Sequence, residues 1–159
     1  METLFGQKVE TLPEDVAIQL WNGALRDELG LKSGDLQIAL GVANMKNRSG
    51  NTLTALRIYM ALVLCDPSNF ECLQGLANCA LQNGLYEAAL EAGSAMVVLK
   101  PRNPLGYYFS GTACLAMGHL AEAREDIVEA LNFAGTDEHR TLRGECERLL
   151  KQLELRKSA

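Results

Sequence analysis

Apolar residues along this chain recur three and four positions apart almost throughout, the spacing of amphipathic helices, and the helical stretches come in pairs. The clearest pair lies between Asp66 and Arg102, in DPSNFECLQGLANCALQNGLYEAALEAGSAMVVLKPR. Two helices are read there, joined by a turn at Gly84, with Pro67 just before the first and Pro101 just after the second. Those prolines stand 34 positions apart. Moving the chain by the same interval in both directions lays Gly50, Gly84 and Gly118 over one another, and likewise Ala55, Ala89 and Ala123. A turn glycine and a small helix-crossing residue recurring at one interval predict three copies of one helix pair.

A period of 34 residues is that of helix-turn-helix repeats of the tetratricopeptide kind. The glycines set the register at 36–69, 70–103 and 104–137. The first copy is the least regular, with Leu36, Ala39, Leu40 and Ala43 on its first helix and Leu53 to Leu64 on its second. Each pair carries an apolar face wider than its own partner can cover, so neighbours must stack. The expected fold is therefore all-α: three tetratricopeptide-like helix pairs in a superhelical stack, between an N-terminal arm and helix (1–35) and a C-terminal capping helix (138–159). Ser68 with Glu71 is read as the capping box of the second repeat, and Ser33 to Asp35 as the cap of the first. Asn103 with Pro104 at the first helical position opens the third.

The flanks obey the same logic. The first ten residues have no period. Thr11 and Glu14 form a capping-box pattern with Pro13 in the first turn, and Ala17, Leu20, Trp21, Ala24 and Leu25 follow at helical spacing until Gly30. The broad apolar face of this 13–29 helix makes Leu20, Trp21 and Ala24 candidates for a homodimer contact; packing of Trp21 on the first repeat is the alternative. At the other end Leu142, Cys146, Leu149, Leu150 and Leu153 form one stripe, with Arg140, Arg143, Arg148 and Lys151 opposite it.

Composition narrows the function more by exclusion than by assignment. The chain is 48% hydrophobic and carries a net charge of −5, so non-specific binding to nucleic acid or to an anionic membrane is not favoured. The longest apolar run, LTALRIYMALVLC, is interrupted by Arg57 and is shorter than the roughly 18 residues of a membrane helix. METLFGQKVE lacks the basic and apolar regions of a secretory signal, which leads to the expectation of a cytosolic location. The five cysteines, Cys65, Cys72, Cys79, Cys114 and Cys146, contain no CxxC pair and read as small buried thiols. No Ser/His/Asp or Cys/His arrangement and no Gly-rich phosphate loop appears. Glu122, Glu125, Asp126 and Glu129 read as a solvated helix stripe. Neither an enzyme nor a cofactor or metal is expected.

What such a stack offers is a concave groove lined by the first helix of each repeat. The fifth, ninth and twelfth residues of the repeats should face it: Leu40, Asn44 and Asn47, then Gln74, Asn78 and Leu81, then Tyr108, Thr112 and Leu115. Amides can bond an extended peptide backbone through donor and acceptor, and the apolar members can form side-chain pockets. These nine residues carry no charge. The expectations are therefore an internal peptide segment as ligand and little dependence on salt.

With these residues in view, the chain resembles the class II chaperones of bacterial type III secretion systems, which hold hydrophobic translocator proteins before export. The resemblance spans roughly residues 36–156. It rests on the three repeats, on DPSNFECLQGLANCALQNGLYEAAL in the second and on PRNPLGYYFSGTACLAMGHLAEAREDIVEAL in the third. It implies binding of an extended proline- and leucine-containing translocator segment in the groove, and dimerisation through the N-terminal region. The chain departs from the family where tyrosines often line the first repeat; Leu40, Asn44 and Asn47 stand there. A regulatory adaptor that binds a transcription factor and a generic tetratricopeptide scaffold are the alternative readings.

Overall fold

A computed structural model describes residues 3–4, 7–8, 24–135 and 139–157. Two two-residue strands, β1 (Thr3–Leu4) and β2 (Gln7–Lys8), pair antiparallel, with Thr3 opposite Lys8. All other regular structure among the described residues is helical: α1 (Ala24–Glu28), α2 (Ser33–Arg48), α3 (Thr52–Cys65), α4 (Phe70–Gln82), α5 (Tyr86–Leu99), α6 (Pro104–Met117), α7 (Leu120–Phe133) and α8 (Arg140–Lys157). Consecutive helices from α2 to α8 pack on one another, and α4 also touches α2 and α6. The architecture is the expected all-α stack, with three helix pairs followed by α8.

The turns show why the period is visible in the sequence. Gly50, Gly84 and Gly118 each follow the first helix of a pair and adopt φ of +79°, +74° and +85°. That left-handed backbone strains any residue with a Cβ and is open to glycine. Gly30 ends α1 in the same way, with φ of +67°. The recurring alanines Ala55, Ala89 and Ala123 are wholly buried, one near the start of each second helix. Asn69 and Asn103 occupy equivalent caps, accepting from the N–H of Cys72 (3.1 Å) and of Leu105 (3.0 Å).

Two caps differ from the sequence reading. The second repeat is capped by Asn69, while Ser68 turns away and donates to Asp66 Oδ1 (2.9 Å). Helix α2 begins one residue earlier than a Ser33 cap would allow; Lys32 is the cap residue, and its N–H donates to Asp35 Oδ2 (2.8 Å). At α2 the Lys32 side chain has no acceptor, and the Asp35 carboxylate satisfies the Lys32 backbone N–H instead; at α4, Asn69 takes the cap position beside Ser68.

The core runs through the stack as three apolar clusters. Leu56, Tyr59, Leu62, Cys72, Cys79 and Ala80 join α3 to α4. Leu73, Ala77, Met96 and Phe109 link α4, α5 and α6. Cys114, Leu115, Ile127, Cys146, Leu149 and Leu153 bind α6 and α7 to α8. The apolar stripe of α8 thus seals this end, and Arg140, Arg143, Arg148 and Lys151 remain exposed. All five thiols are buried and free. Helices α5 and α6 cross at near backbone contact, because a Cβ on Gly93 would lie 2.7 Å from Ser110 N and one on Gly106 2.8 Å from Val97 N.

The acidic stripe of α7 is not uniformly solvated. Glu122, Glu125 and Glu129 are exposed, but Asp126 is half-buried and accepts a hydrogen bond from buried Ser110 Oγ (2.5 Å). Burial raises its carboxyl above the usual range, against the lowering effect of that bond. The close crossing of α6 and α7 at Gly111, where an added Cβ would lie 3.0 Å from Asp126 Cβ, brings Ser110 and Asp126 together, a long-range consequence that helix spacing does not show.

Candidate functional site

A cavity of about 680 Å³ opens across the first helices of the three pairs. Helix α2 contributes Asn44, Asn47 and Arg48; α4 contributes Phe70, Glu71, Gln74, Gly75 and Asn78; Phe109 comes from α6. Tyr59 reaches it from α3, and Lys100 from the residue after α5. Parallel first helices of stacked pairs leave such a furrow because their second helices take the outer, closely packed layer.

One wall is built around a glycine. Tyr59, only 1% exposed, packs its ring against Gly75, where an added Cβ would stand 2.3 Å from ring atoms. From there Tyr59 Oη donates to Asn44 Oδ1 (2.5 Å), and Asn44 Nδ2 donates to Glu71 Oε1 (3.0 Å). Burial first, then neighbouring Cys79 and Glu71, push the Tyr59 phenol up to about 12, so it stays a donor. The chain Tyr59–Asn44–Glu71 satisfies both ends of the Asn44 amide and ties α2, α3 and α4 at the cavity wall. By contrast, Asn47, Gln74 and Asn78 are half-buried, and no described residue engages their side-chain amides. Their donors and acceptors are available to a ligand. The Lys100 ammonium sits 4.3 Å from the centre of the Phe70 ring, a cation–π contact that positions it at the rim.

Of the nine residues expected in the groove, the structure brings four to this cavity: Asn44, Asn47, Gln74 and Asn78. Leu40 packs on the first core cluster, and Leu81 bridges the first and the middle one. Leu115 is 6% exposed within the cluster that includes α8, and Tyr108 packs against that cluster. Burial, then the Glu145 carboxylate and Cys146 of α8, raises the Tyr108 phenol. Thr112 Oγ donates back to Tyr108 O (2.6 Å), a bond within the helix. The dimer candidates Leu20 and Trp21 lie outside the described residues; Ala24 is the first residue of α1 and is half-buried.

The expected uncharged lining needs correction. Arg48, Lys100 and Glu71 all line the cavity. Helical spacing could have found two of them, since Arg48 stands four residues after Asn44 and Glu71 three before Gln74. Tyr59 and Lys100 come from outside the first helices, and only the tertiary arrangement reveals them.

The site holds little for covalent chemistry. Burial, then Asp66 and Glu71, push the Cys72 thiol up to about 12, so it is protonated and a poor nucleophile. Among the described residues no cluster of His, Cys, Asp or Glu could hold a metal, and no helix is long and apolar enough to cross a membrane. The geometry suits non-covalent binding of an extended chain.

No protein-family model matches this sequence. Solved structures do match it. PcrH of Pseudomonas aeruginosa, in complex with the chaperone-binding region of PopD, superposes with a TM-score of 0.74 at 24% identity, covering 80% of this chain and 97% of that one. SycD of Yersinia enterocolitica, a type III secretion chaperone in complex with a peptide of the translocator YopD, gives 0.73 at 24%, covering 79% and 97%. A type III secretion complex from Aeromonas hydrophila gives 0.78 at 18%, covering 92% and 99%. The chain has the fold of these translocator chaperones.

Proposed function

We propose that this protein is a chaperone that holds an extended segment of a hydrophobic type III secretion translocator in the cavity between α2, α4 and α6. The observation that carries the proposal is the cavity itself: about 680 Å³, crossing successive repeats, with three unengaged amides beside Phe70 and Phe109. Asn47, Gln74 and Asn78 can pair with peptide N–H and C=O groups that an extended segment leaves open, and the two rings receive its apolar side chains. The shared fold supports the reading, since PcrH and SycD were solved with translocator segments. No part of the mechanism needs bond making. Sequestering an apolar segment keeps it from self-association, and release requires only that its affinity be finite.

The test is purification of the protein from its native cell with whatever it carries, followed by identification of the partner and expression of that partner alone. A translocator with long apolar segments that stays soluble only in the complex is the expected result. A DNA-binding protein as the stoichiometric partner would favour the regulatory adaptor instead.

A further inference from the structure

The charges at the cavity are unevenly satisfied. Glu71, the one carboxylate among the described lining residues, accepts from Asn44 Nδ2. Arg48 and Lys100 line the same cavity, and neither has an ion-pair partner among the described residues. Lys100 is held by the Phe70 face, which engages the cation through the ring and leaves its N–H donors available. Arg48 is the last residue of α2 and lines the same cavity as the unengaged amides. The protein carries a net charge of −5, yet the described lining presents two cations without an ion-pair partner among the described residues against one hydrogen-bonded anion. The local sign is opposite to that of the whole molecule.

We infer that Arg48 and Lys100 make the cavity selective for an extended peptide segment carrying an Asp or Glu side chain next to an apolar one. The inference rests on the peptide-binding reading above and specifies its ligand. A ligand carboxylate supplies the anionic partner that the lining lacks, and charge-assisted bonds to guanidinium or ammonium are stronger than neutral ones. The neighbouring apolar side chain meets Phe70 or Phe109, while Asn47, Gln74 and Asn78 engage the backbone on either side. An internal side chain is favoured over a chain terminus because the lining residues extend from α2 through α4 to α6, so a segment can run across all three helices. The Glu71 carboxylate adds discrimination, since it repels an acidic side chain placed out of register.

The experiment is selection of random twelve-residue peptides, displayed as internal segments, against the full chain and against the Arg48→Gln/Lys100→Gln variant. Both replaced residues are exposed and have no ion-pair partner among the described residues, though Lys100 contacts the Phe70 ring, so thermal unfolding checks that the variant keeps its fold. Wild type should enrich peptides with an acidic residue beside a Leu, Phe or Tyr, and the variant should lose the acidic preference. For one enriched peptide, Glu→Gln should weaken binding to wild type about tenfold, and to the variant hardly at all. The wild-type affinity should also fall as salt rises. Enrichment without an acidic residue, or an equal acidic preference in both proteins, overturns the inference and leaves the peptide groove standing. Enrichment confined to a companion library with free C-termini, without Asp or Glu preference, assigns the cations to a terminal carboxylate and also overturns it. No enrichment in any library overturns the peptide reading and the inference together.

Discussion

The first two repeats and the third use the same positions of one motif for different ends. In the first two, Asn44, Asn47 and Asn78 border an open cavity. In the third, the equivalent residues are engaged: Leu115, the counterpart of Asn47, is buried, more fully than Leu81 in the second repeat, and Thr112, the counterpart of Asn78, bonds its own helix. Helix α8 makes the difference. Its Cys146–Leu149–Leu153 stripe packs with Leu115 and Tyr108, so the third repeat contributes only Phe109 to the cavity. A repeat position is therefore not a function; what covers it decides.

The sharpest way to break this comparison is to change the same repeat position in both regions. Leu115→Ala removes a buried side chain and should cost about 3 kcal/mol of stability, read from urea unfolding. Asn47→Ala, at the equivalent place, should cost less than about 0.5 kcal/mol in the same assay while weakening the captured segment. Equal losses of stability would show that both regions are simply core.

Gly75→Ala sharpens the account of the cavity wall. The new Cβ must displace the Tyr59 ring, and such overpacking typically costs about 2 kcal/mol. An unchanged unfolding midpoint would mean the ring has room that the structure does not show. Tyr59→Phe is milder: it removes only the bond to Asn44, at about 1 kcal/mol, and frees the Asn44 carbonyl oxygen.

The division between legible and illegible features follows the range of the interactions. Turn glycines and crossing alanines are local requirements repeated at one interval, so the stack could be read from Gly50, Gly84 and Gly118 alone. The α8 stripe was equally plain. The site was only half legible. Helical spacing gives one face of α2 and α4, including Arg48 and Glu71 once the whole face is followed, but it says nothing of Tyr59 or Lys100. Nor does it reveal that α8 covers Tyr108 and Leu115. The cap readings missed by one residue, with Asn69 in place of Ser68 and Lys32 in place of Ser33.

The smallest expected effect is a pH dependence. The folded chain raises the Cys72 thiol from an ordinary 9.0 to about 12 and Cys146 to about 11, chiefly by burial. A raised value means that ionisation favours the unfolded chain. The stability is fully present below about 9 and is lost as pH rises from there toward 12. Urea midpoints should therefore stay level near neutrality and fall in alkali, and a thiol reagent should label the native protein only slowly. Rapid labelling of Cys72 or Cys146 in the folded chain would show those faces to be open.

The most direct measurement of the central claim is photocrosslinking from two positions in the complex purified with its natural partner. A benzophenone amino acid replaces Asn78 inside the cavity in one protein, and Val98, which is 71% exposed on α5, in another. The account predicts a crosslink to one short segment of the partner from position 78 and none from position 98. A crosslink from position 98 with none from 78 would place the partner outside the cavity and contradict the account.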